Sequence, residues 1–182
     1  VNNRSDLRVI EFGSKKELKP YILGILELMN QVFKQIYGFV ALSETEKKEL
    51  RDRYLMLISP EFVKVVANEK GTLVGFALGI PDLSEGIKRA GGKLLPLGLF
   101  HILLAAKRSK TLLMVLGGIL PEYRGQGIDT MMGAKMLASA IKCKMKTIDS
   151  HLVLEDNLPM RGEYERLGGV IVKRFRVYTK PL

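Results

Sequence analysis

A strand, a glycine-containing turn and a helix follow one another over residues 111–142, and this succession constrains the fold more than any other part of the chain. The apolar run 111–120 predicts a strand, and a helical pattern opens soon after it. Backbone N–H groups at a helix start, together with a dipole worth about half a positive charge, favour a phosphate. Gly125 and Gly127 allow close approach to the backbone, and Arg124 adds a cation. The turn therefore predicts an anion cradle.

Two better-known phosphate motifs do not match this turn. A P-loop needs a lysine and a hydroxyl residue directly after its last glycine, whereas isoleucine follows Gly127. A dinucleotide fingerprint needs a third glycine where this chain has Thr130. What remains is a phosphate-binding turn of another type or an ordinary strand-to-helix turn.

The turn resembles the acyl-CoA-binding signature of the GNAT N-acetyltransferase superfamily, which is Arg/Gln-x-x-Gly-x-Gly/Ala. Arg124, Gly127 and Asp129 occupy its three diagnostic places. Asp129 departs from the signature, because a small residue is expected where the pyrophosphate lies close. Its carboxylate would either repel the phosphates or cap the helix and point away. The order Arg-Gly-x-Gly-Ile-Asp is similar to that of uncharacterised bacterial members of the superfamily.

A second segment resembles the other hallmark of the same superfamily, Asn-x-x-Ala-x-x-x-Tyr-x-x-x-Gly-Phe. Asn157, Tyr164 and Gly168 fall in register with it. Met160 replaces the usual alanine, and Gly169 replaces the usual phenylalanine. Two motifs in the right order are much more specific than either alone.

The resemblance implies an α/β (α+β) fold, with a mixed, mostly antiparallel sheet flanked by helices and splayed between its fourth and fifth strands. It covers roughly residues 62–182, and we expect one acyltransferase domain over 1–182. Related chains tend to be longer, and this one begins at Val1 rather than methionine. We therefore expect the C-terminal part of a longer protein.

The resemblance also implies that acetyl-CoA or another acyl-CoA binds as co-substrate, without a metal. Backbone N–H groups of the fourth strand would polarise the thioester carbonyl, and Asn157 would bind the pantetheine arm. Tyr164 would protonate the departing thiolate, because a phenol with a pKa near 10 can donate a proton while uncharged. The expected donor-binding residues are Gly118, Ile119, Leu120, Arg124, Gly125, Gln126, Gly127, Ile128, Asp129, Asn157 and Tyr164.

The general base is left open between Glu122, His151 and Glu155, and a water relay would make any one of them dispensable. His151 alternates with its neighbours on a predicted strand, so a buried and hydrogen-bonded histidine is an equal alternative. For Tyr164 the alternative is a tyrosine that only packs on a short helix.

The composition limits the kinds of site that the chain can hold. Its one cysteine, Cys143, excludes an internal disulfide and suits a reducing cytoplasm. His101 and His151 are the only histidines, so we expect no Cys/His metal cluster. The apolar run 94–106 is too short to span a bilayer.

The formal net charge of +10 suggests a polyanionic partner such as CoA, acyl carrier protein or anionic lipid, although a solvated surface explains most of the lysines. The basic residues are scattered and do not alternate with aromatic residues, so we expect no nucleic-acid partner. A homodimer is left open.

Local signals predict the remaining elements. Capping boxes at Ser14 and Ser43 predict two helices, the second ending near Ile58. Apolar, β-branched runs predict strands over 7–12, 62–68, 72–80 and 147–154, and a closing hairpin over 170–179. We also expect a short helix over 158–167.

The segment 81–110 is longer than the connection expected between two strands of such a sheet. Its apolar run ends in a basic cluster, Lys107 to Lys110. We expect either a helical insertion packed on the core or a wall over the acyl or acceptor channel.

Three functions compete at this point. The first is an acyl-CoA-dependent N-acyltransferase, of acetyl in the first instance, that acts on a primary amine of a small molecule. The second transfers a longer acyl group from acyl carrier protein to an amino acid or amine. The third is a non-catalytic CoA-binding module of a longer protein.

Overall fold

The computed structural model describes residues 7–36, 38–93, 97–150, 152–176, 178 and 180. The chain divides into two compact units, Val1–Asp149 and Ser150–Leu182. The first unit holds the central sheet and most of the helices, and the second holds one helix and the C-terminal segment.

Five strands form one sheet in sequential order. The first four pair antiparallel, and the fifth runs parallel to the fourth. This confirms the expected mixed, mostly antiparallel α/β architecture. The strands are β1 (Arg8–Glu11), β2 (Val63–Ala67), β3 (Leu73–Pro81), β4 (Thr111–Ile119) and β5 (Thr147–Ser150).

Seven α-helices lie among the described residues, six in the first unit and one in the second. They are α1 (Lys15–Leu18), α2 (Ile22–Phe33), α3 (Glu44–Tyr54), α4 (Ser84–Ala90), α5 (Leu97–Arg108), α6 (Ile128–Lys142) and α7 (Leu158–Arg166).

Side-chain oxygens fix the starts of two predicted helices. Ser43 accepts from the Glu46 backbone, and the Glu46 carboxylate accepts from the Ser43 N–H at 2.8 Å, which completes the predicted capping box. At α1 Ser14 accepts from Glu17 N–H, but the Glu17 carboxylate takes the Gly13 N–H instead. Both helices begin where the sequence predicts, although α3 ends at Tyr54, before the expected Ile58.

The sheet separates two apolar layers. Successive residues of β2 point to opposite faces, so Val65 packs toward α1 and α2, whereas Val66 packs toward α6. On the α6 face the core includes Ile128, Met132 and Met136, all buried. On the other face Phe76 of β3 packs with Leu28 and Met29 of α2.

Strand β4 carries a bulge at Val115. Leu78 pairs with Leu116 and Gly79 pairs with Met114, so Val115 has no opposite residue on β3. The bulge therefore does not involve Gly117 or Gly118. Gly118 has another reason to be glycine, because a Cβ atom there would lie 2.7 Å from Cγ1 of Val32 on α2.

Segment 81–110 forms the helix pair α4–α5. A Cβ atom at Gly86 would lie 2.7 Å from the Cα atom of Ile102, so the two helices touch closely at this glycine. The Asp82 N–H donates to the Thr111 carbonyl at 2.9 Å, which joins the two ends of the segment. The expected helical insertion is what the structure contains.

The helix pair lies at the end of β4 that is remote from the glycine turn. α5 leads into Thr111, whereas the turn follows Ile119, and nine extended residues span roughly 30 Å. The Lys110 carbonyl at this end accepts from Lys146 and Thr147, where β4 meets β5. This placement does not support the expected role of the segment as a wall over the channel.

Two predicted strand regions differ from the structure. β5 ends at Ser150 rather than Leu154; His151 lies outside the described residues, and residues 152–154 are not in a strand. The described part of the predicted closing hairpin, residues 170–176 and 178, is also outside strands. Lys173 alone separates the two runs, which is too short for the hairpin connections that proteins normally use.

Candidate active site

The glycine turn begins where β4 ends. A short 3-10 helix, Pro121–Tyr123, follows the strand, and the Tyr123 N–H donates to the Leu120 carbonyl at 2.9 Å. Asn68, at the end of β2, donates from its amide nitrogen to the Tyr123 hydroxyl at 3.0 Å. This bond ties the turn to the sheet. The sequence did not reveal it, because the partners are 55 positions apart.

The central feature of the turn is a run of free donors. The backbone N–H groups of residues 125–129 donate to no acceptor among the described residues. Helical bonding resumes with Met131, whose N–H donates to the Gly127 carbonyl at 3.0 Å. Successive N–H groups before a helix, aligned with its dipole, form a concave site for an anion. These five N–H groups are available to an anion, and the cradle stays a prediction.

Gly125 and Gly127 both adopt left-handed backbone conformations, with φ of 71° and 80°. Side-chain-bearing residues adopt this region at a cost, and glycine does not. A Cβ atom at either position would meet no atom of the protein within 4 Å. The glycines are thus required by conformation, and the space above them is open to a ligand.

Two side chains of the motif hold the turn itself. The Arg124 Nε donates to the Ile119 carbonyl at 3.2 Å, and the Gln126 amide donates to the Glu122 carbonyl at 3.0 Å. Arg124 remains exposed, and its other guanidinium nitrogens make no hydrogen bond to a described residue. Arg124 can therefore present a cation beside the cradle while one nitrogen fixes its direction.

Asp129 lies in the first turn of α6, where a negative charge is favourable. Its carboxylate accepts from the Thr130 N–H at 2.8 Å. Of the two alternatives for this departure from the signature, the structure supports local capping. The bond removes the Thr130 N–H from the donors at the helix start.

The three β4 amides that were expected to face the thioester are not equivalent. The Leu120 N–H donates to the Val74 carbonyl of β3 at 2.9 Å. Successive N–H groups of a strand point to alternate sides, so Gly118 also points toward β3, where it pairs with Phe76. Ile119 points the other way, toward the side of β5. Leu120 is therefore excluded as a donor to a ligand, and Ile119 is the remaining candidate beyond the bulge.

Tyr164 lies on α7 in the second unit, and burial raises the pKa of its phenol above the usual 10.0. The phenol stays protonated at neutral pH, which suits a proton donor. Gly169 N–H donates to the Tyr164 carbonyl at 2.8 Å, and Gly168 N–H donates to Glu165 at 3.0 Å. With Gly168 at a φ of 79°, these bonds form a Schellman motif that ends the helix.

Asn157 caps the start of the same helix. Its side-chain oxygen accepts from the Met160 N–H at 3.4 Å, and Pro159 occupies a position in the first turn. The capping bond uses only the oxygen of the amide. The Asn157 NH₂ group is left without an acceptor among the described residues and can serve a ligand.

The structure does not single out one of the three candidate general bases. Glu155 is exposed and its carboxylate lies 3.5 Å from the Arg176 guanidinium. Glu122 is exposed, and its backbone carbonyl is the acceptor for Gln126. His151 lies outside the described residues.

In the described part of the chain, no helix is long and apolar enough to cross a membrane.

Comparisons with curated proteins give two bacterial relatives. The chain is 28% identical over 163 residues to Protein YghO of Escherichia coli K12, covering 86% of this chain and 41% of that protein. It is 27% identical over 164 residues to the bacterial ceramide synthase of Caulobacter vibrioides, covering 87% of this chain and 42% of the relative. The chain thus spans about two fifths of the length of these relatives.

Solved structures share the fold at low sequence identity. A possible acetyltransferase from Clostridium difficile 630 superposes with a TM-score of 0.58 and 13% identity, covering 98% of this chain and 99% of that one. The aminoglycoside 6'-N-acetyltransferase of Acinetobacter baumannii gives a TM-score of 0.55 and 15% identity, covering 97% and 99%.

The family model for the acetyltransferase (GNAT) family matches residues 26–169, which include the sheet from β2 onward, the glycine turn and α7. With this match and the shared fold, the chain belongs to the GNAT family of acetyltransferases.

Proposed function

We propose that this chain is an acyl-CoA-dependent N-acyltransferase that transfers acetyl or a longer acyl group to a primary amine of a small molecule. The observation that carries the proposal is the run of five N–H groups over residues 125–129, at the start of α6, that have no acceptor in the described parts of the chain. Family membership supports the pyrophosphate of CoA as the ligand of this anion site.

The turn holds the donor by its phosphates. The N–H groups of residues 125–129 would surround the pyrophosphate, and the free guanidinium nitrogens of Arg124 would add a charged contact. Phosphate oxygens approach the backbone closely at Gly125 and Gly127, where no protein atom would meet a Cβ within 4 Å.

The chemistry joins the amine nitrogen to the acyl carbon and breaks the carbon–sulfur bond of the thioester. The Ile119 N–H would stabilise the negative charge that develops on the carbonyl oxygen. Tyr164 would give its proton to the departing CoA thiolate, and the amine would lose a proton to a base or to water. Glu122, Glu155 and His151 stay candidates for the base.

The relatives support an amine as acceptor. The Acinetobacter protein is an aminoglycoside N-acetyltransferase, and the Caulobacter relative is a ceramide synthase. An aminoglycoside offers primary amines, and a ceramide is the amide of a long-chain amine. The chain spans about two fifths of the length of its curated relatives, so the activity of the whole protein is likewise a proposal.

Release of CoA tests the proposed function. The chain is incubated with acetyl-CoA and a panel of primary amines, and the free thiol is measured together with the amide product by mass spectrometry. We expect amine-dependent thiol release and an amide of matching mass. CoA binding without turnover on any amine would favour the non-catalytic module instead.

A further inference from the structure

We propose that a cavity between α2 and the sheet binds the hydrocarbon chain of a fatty acyl group carried by the donor. The proposal rests on the function proposed above and narrows its donor to acyl groups much longer than acetyl.

The cavity has a volume of about 60 Å³ and is partly open to solvent. Every described residue that lines it is apolar. A cavity lined only by apolar side chains offers no hydrogen-bond partner to water and favours an apolar ligand. The residues that matter for the proposal are Ile25, Leu26 and Met29 on α2, and Phe76, Leu78 and Leu116 on the sheet.

The cavity reaches the part of β4 where the thioester would lie. Leu116 lines it, and Gly118 lies two residues further on the same face of the strand, beyond the bulge. Phe76 also lines the cavity, and its Cε1 atom is 3.3 Å from the Cβ position of Gly118. The next residue, Ile119, offers its N–H to the thioester carbonyl. A chain attached to that carbonyl therefore starts beside the cavity.

The opposite face of the sheet is filled at the same level. A Cβ atom at Gly75 would lie 3.0 Å from Cγ2 of Ile128, which is buried on α6. Space for a chain is thus found on the α2 face, while the phosphate turn precedes α6 on the other face. A donor that passes the edge of β4 would place its phosphates and its acyl chain on opposite faces of the sheet.

The position of the cavity favours the donor over the amine as the source of the chain. The acyl carbon is bonded directly to the thioester sulfur, so an acyl chain must begin at β4, beside Leu116 and Gly118. An amine acceptor has no such fixed starting point, because its alkyl part can lie anywhere beyond the attacking nitrogen.

The affinity of the unaltered chain for a donor series tests the proposal. Dissociation constants are measured by calorimetry for CoA, acetyl-CoA, octanoyl-CoA and dodecanoyl-CoA, below the micelle concentration of each. Burial of each methylene strengthens binding about fourfold, so dodecanoyl-CoA should bind at least on the order of tenfold more tightly than acetyl-CoA. Equal affinity for the short and long thioesters would overturn the proposal.

Filling the cavity should remove this preference. Leu116→Phe and Ile25→Phe each place a larger side chain in the cavity, and the two lie on opposite walls. We expect the ratio of the dodecanoyl-CoA and acetyl-CoA affinities to fall toward one in both. Leu137→Phe, on an exposed position of α6, is the matched control and should keep the ratio. Thermal unfolding of each variant confirms that it is folded.

Two further ligands separate failure of the cavity from failure of the proposed function. Dodecanoate should bind the unaltered chain, and Leu116→Phe should weaken it. If dodecanoate binds but no CoA thioester does, the cavity still takes hydrocarbon, but the proposed function and the assignment to the donor both fail. If all the acyl-CoA ligands bind with equal affinity, and Leu116→Phe lowers the affinity for dodecylamine, the cavity binds the hydrocarbon of the acceptor. The proposal is then wrong.

Discussion

The two family motifs of this chain use their backbone groups in opposite ways. In the turn that precedes α6, the N–H groups of residues 125–129 find no acceptor among the described residues. In α7 the chain satisfies its own ends: Asn157 caps the first turn, and Gly168 and Gly169 close the last. We therefore propose that the first motif receives an anion, whereas the second stabilises the helix that carries Tyr164. Binding and chemistry should respond separately to substitutions in the two motifs.

The largest effect should follow from Tyr164→Phe. Loss of a general acid lowers kcat by roughly 100- to 10,000-fold, and CoA affinity should stay nearly unchanged because the phenol acts mainly in the transition state. The measurement is steady-state kinetics with an amine found by screening, together with calorimetry. Tyr178→Phe, an exposed tyrosine of the same unit, is the control. An unchanged kcat would mean that Tyr164 only packs.

The pH dependence of Tyr164 gives a second signature. Burial raises the pKa of this phenol above 10.0, so the folded protein keeps the proton to higher pH than the unfolded chain does. Stability from this group is therefore present below pH 10 and is lost as the pH rises above that value. An alkaline decline in kcat above pH 10 should be present in the unaltered enzyme and absent from Tyr164→Phe.

Gly127→Ala should weaken CoA binding about tenfold, because a Cβ atom at a φ of 80° costs about 1–2 kcal/mol and the free turn relaxes away from the conformation that aligns its N–H groups. Gly133→Ala is the matched control: it is exposed on α6, and its Cβ also meets nothing within 4 Å. Because Gly133 is helical, that change should instead stabilise the fold by about 0.5–1 kcal/mol. Chemical denaturation and calorimetry measure both. Equal changes in CoA affinity and in stability for the two substitutions would show that the left-handed conformation of Gly127 is not required.

Much of the turn could be predicted from the sequence, since its features are local. Gly125 and Gly127 indicated a turn before a helix, and Ser43 with Glu46 indicated the start of α3. The features that the sequence did not reveal are set by distant partners. The bulge at Val115 depends on how β3 pairs with β4.

The sequence also did not show which of the candidate backbone N–H groups of β4 is free to bind a ligand. Leu120 is excluded because its N–H is bonded to Val74, which comes 46 positions earlier in the chain. The glycine at position 118 is likewise explained by a distant partner, because a Cβ atom there would clash with Val32 on α2. No local pattern contains these partners.

Asn157→Asp sharpens the comparison at the second motif. Aspartate caps a helix as well as asparagine does, so the stability of α7 should be kept, while the NH₂ group that we propose as a donor to the pantetheine is lost. We expect CoA affinity to fall by roughly 2- to 10-fold, the usual range for one hydrogen bond. Asn157→Ala, which removes both groups, should also destabilise the unit by about 1 kcal/mol. If Asn157→Asp binds CoA normally, the residue serves the helix alone.

The smallest effect on function should come from Gly168→Ala. Its φ of 79° matches that of Gly127, so the strain should again be about 1–2 kcal/mol. CoA affinity should not change, because this glycine closes a helix and lines no cradle. Thermal unfolding and calorimetry on the two alanine variants would therefore separate strain from binding. A loss of CoA affinity in Gly168→Ala would contradict the assignment of binding to the first motif and of helix stability to the second.

The most direct test of the phosphate cradle is the affinity of the unaltered chain for CoA and for pantetheine, which lacks the phosphates. Calorimetry at low and moderate salt should show CoA binding at least about tenfold more tightly than pantetheine, with the difference shrinking as salt screens the charges. Equal affinity for the two ligands at every salt concentration would contradict the assignment of the turn at residues 125–129 to the phosphates.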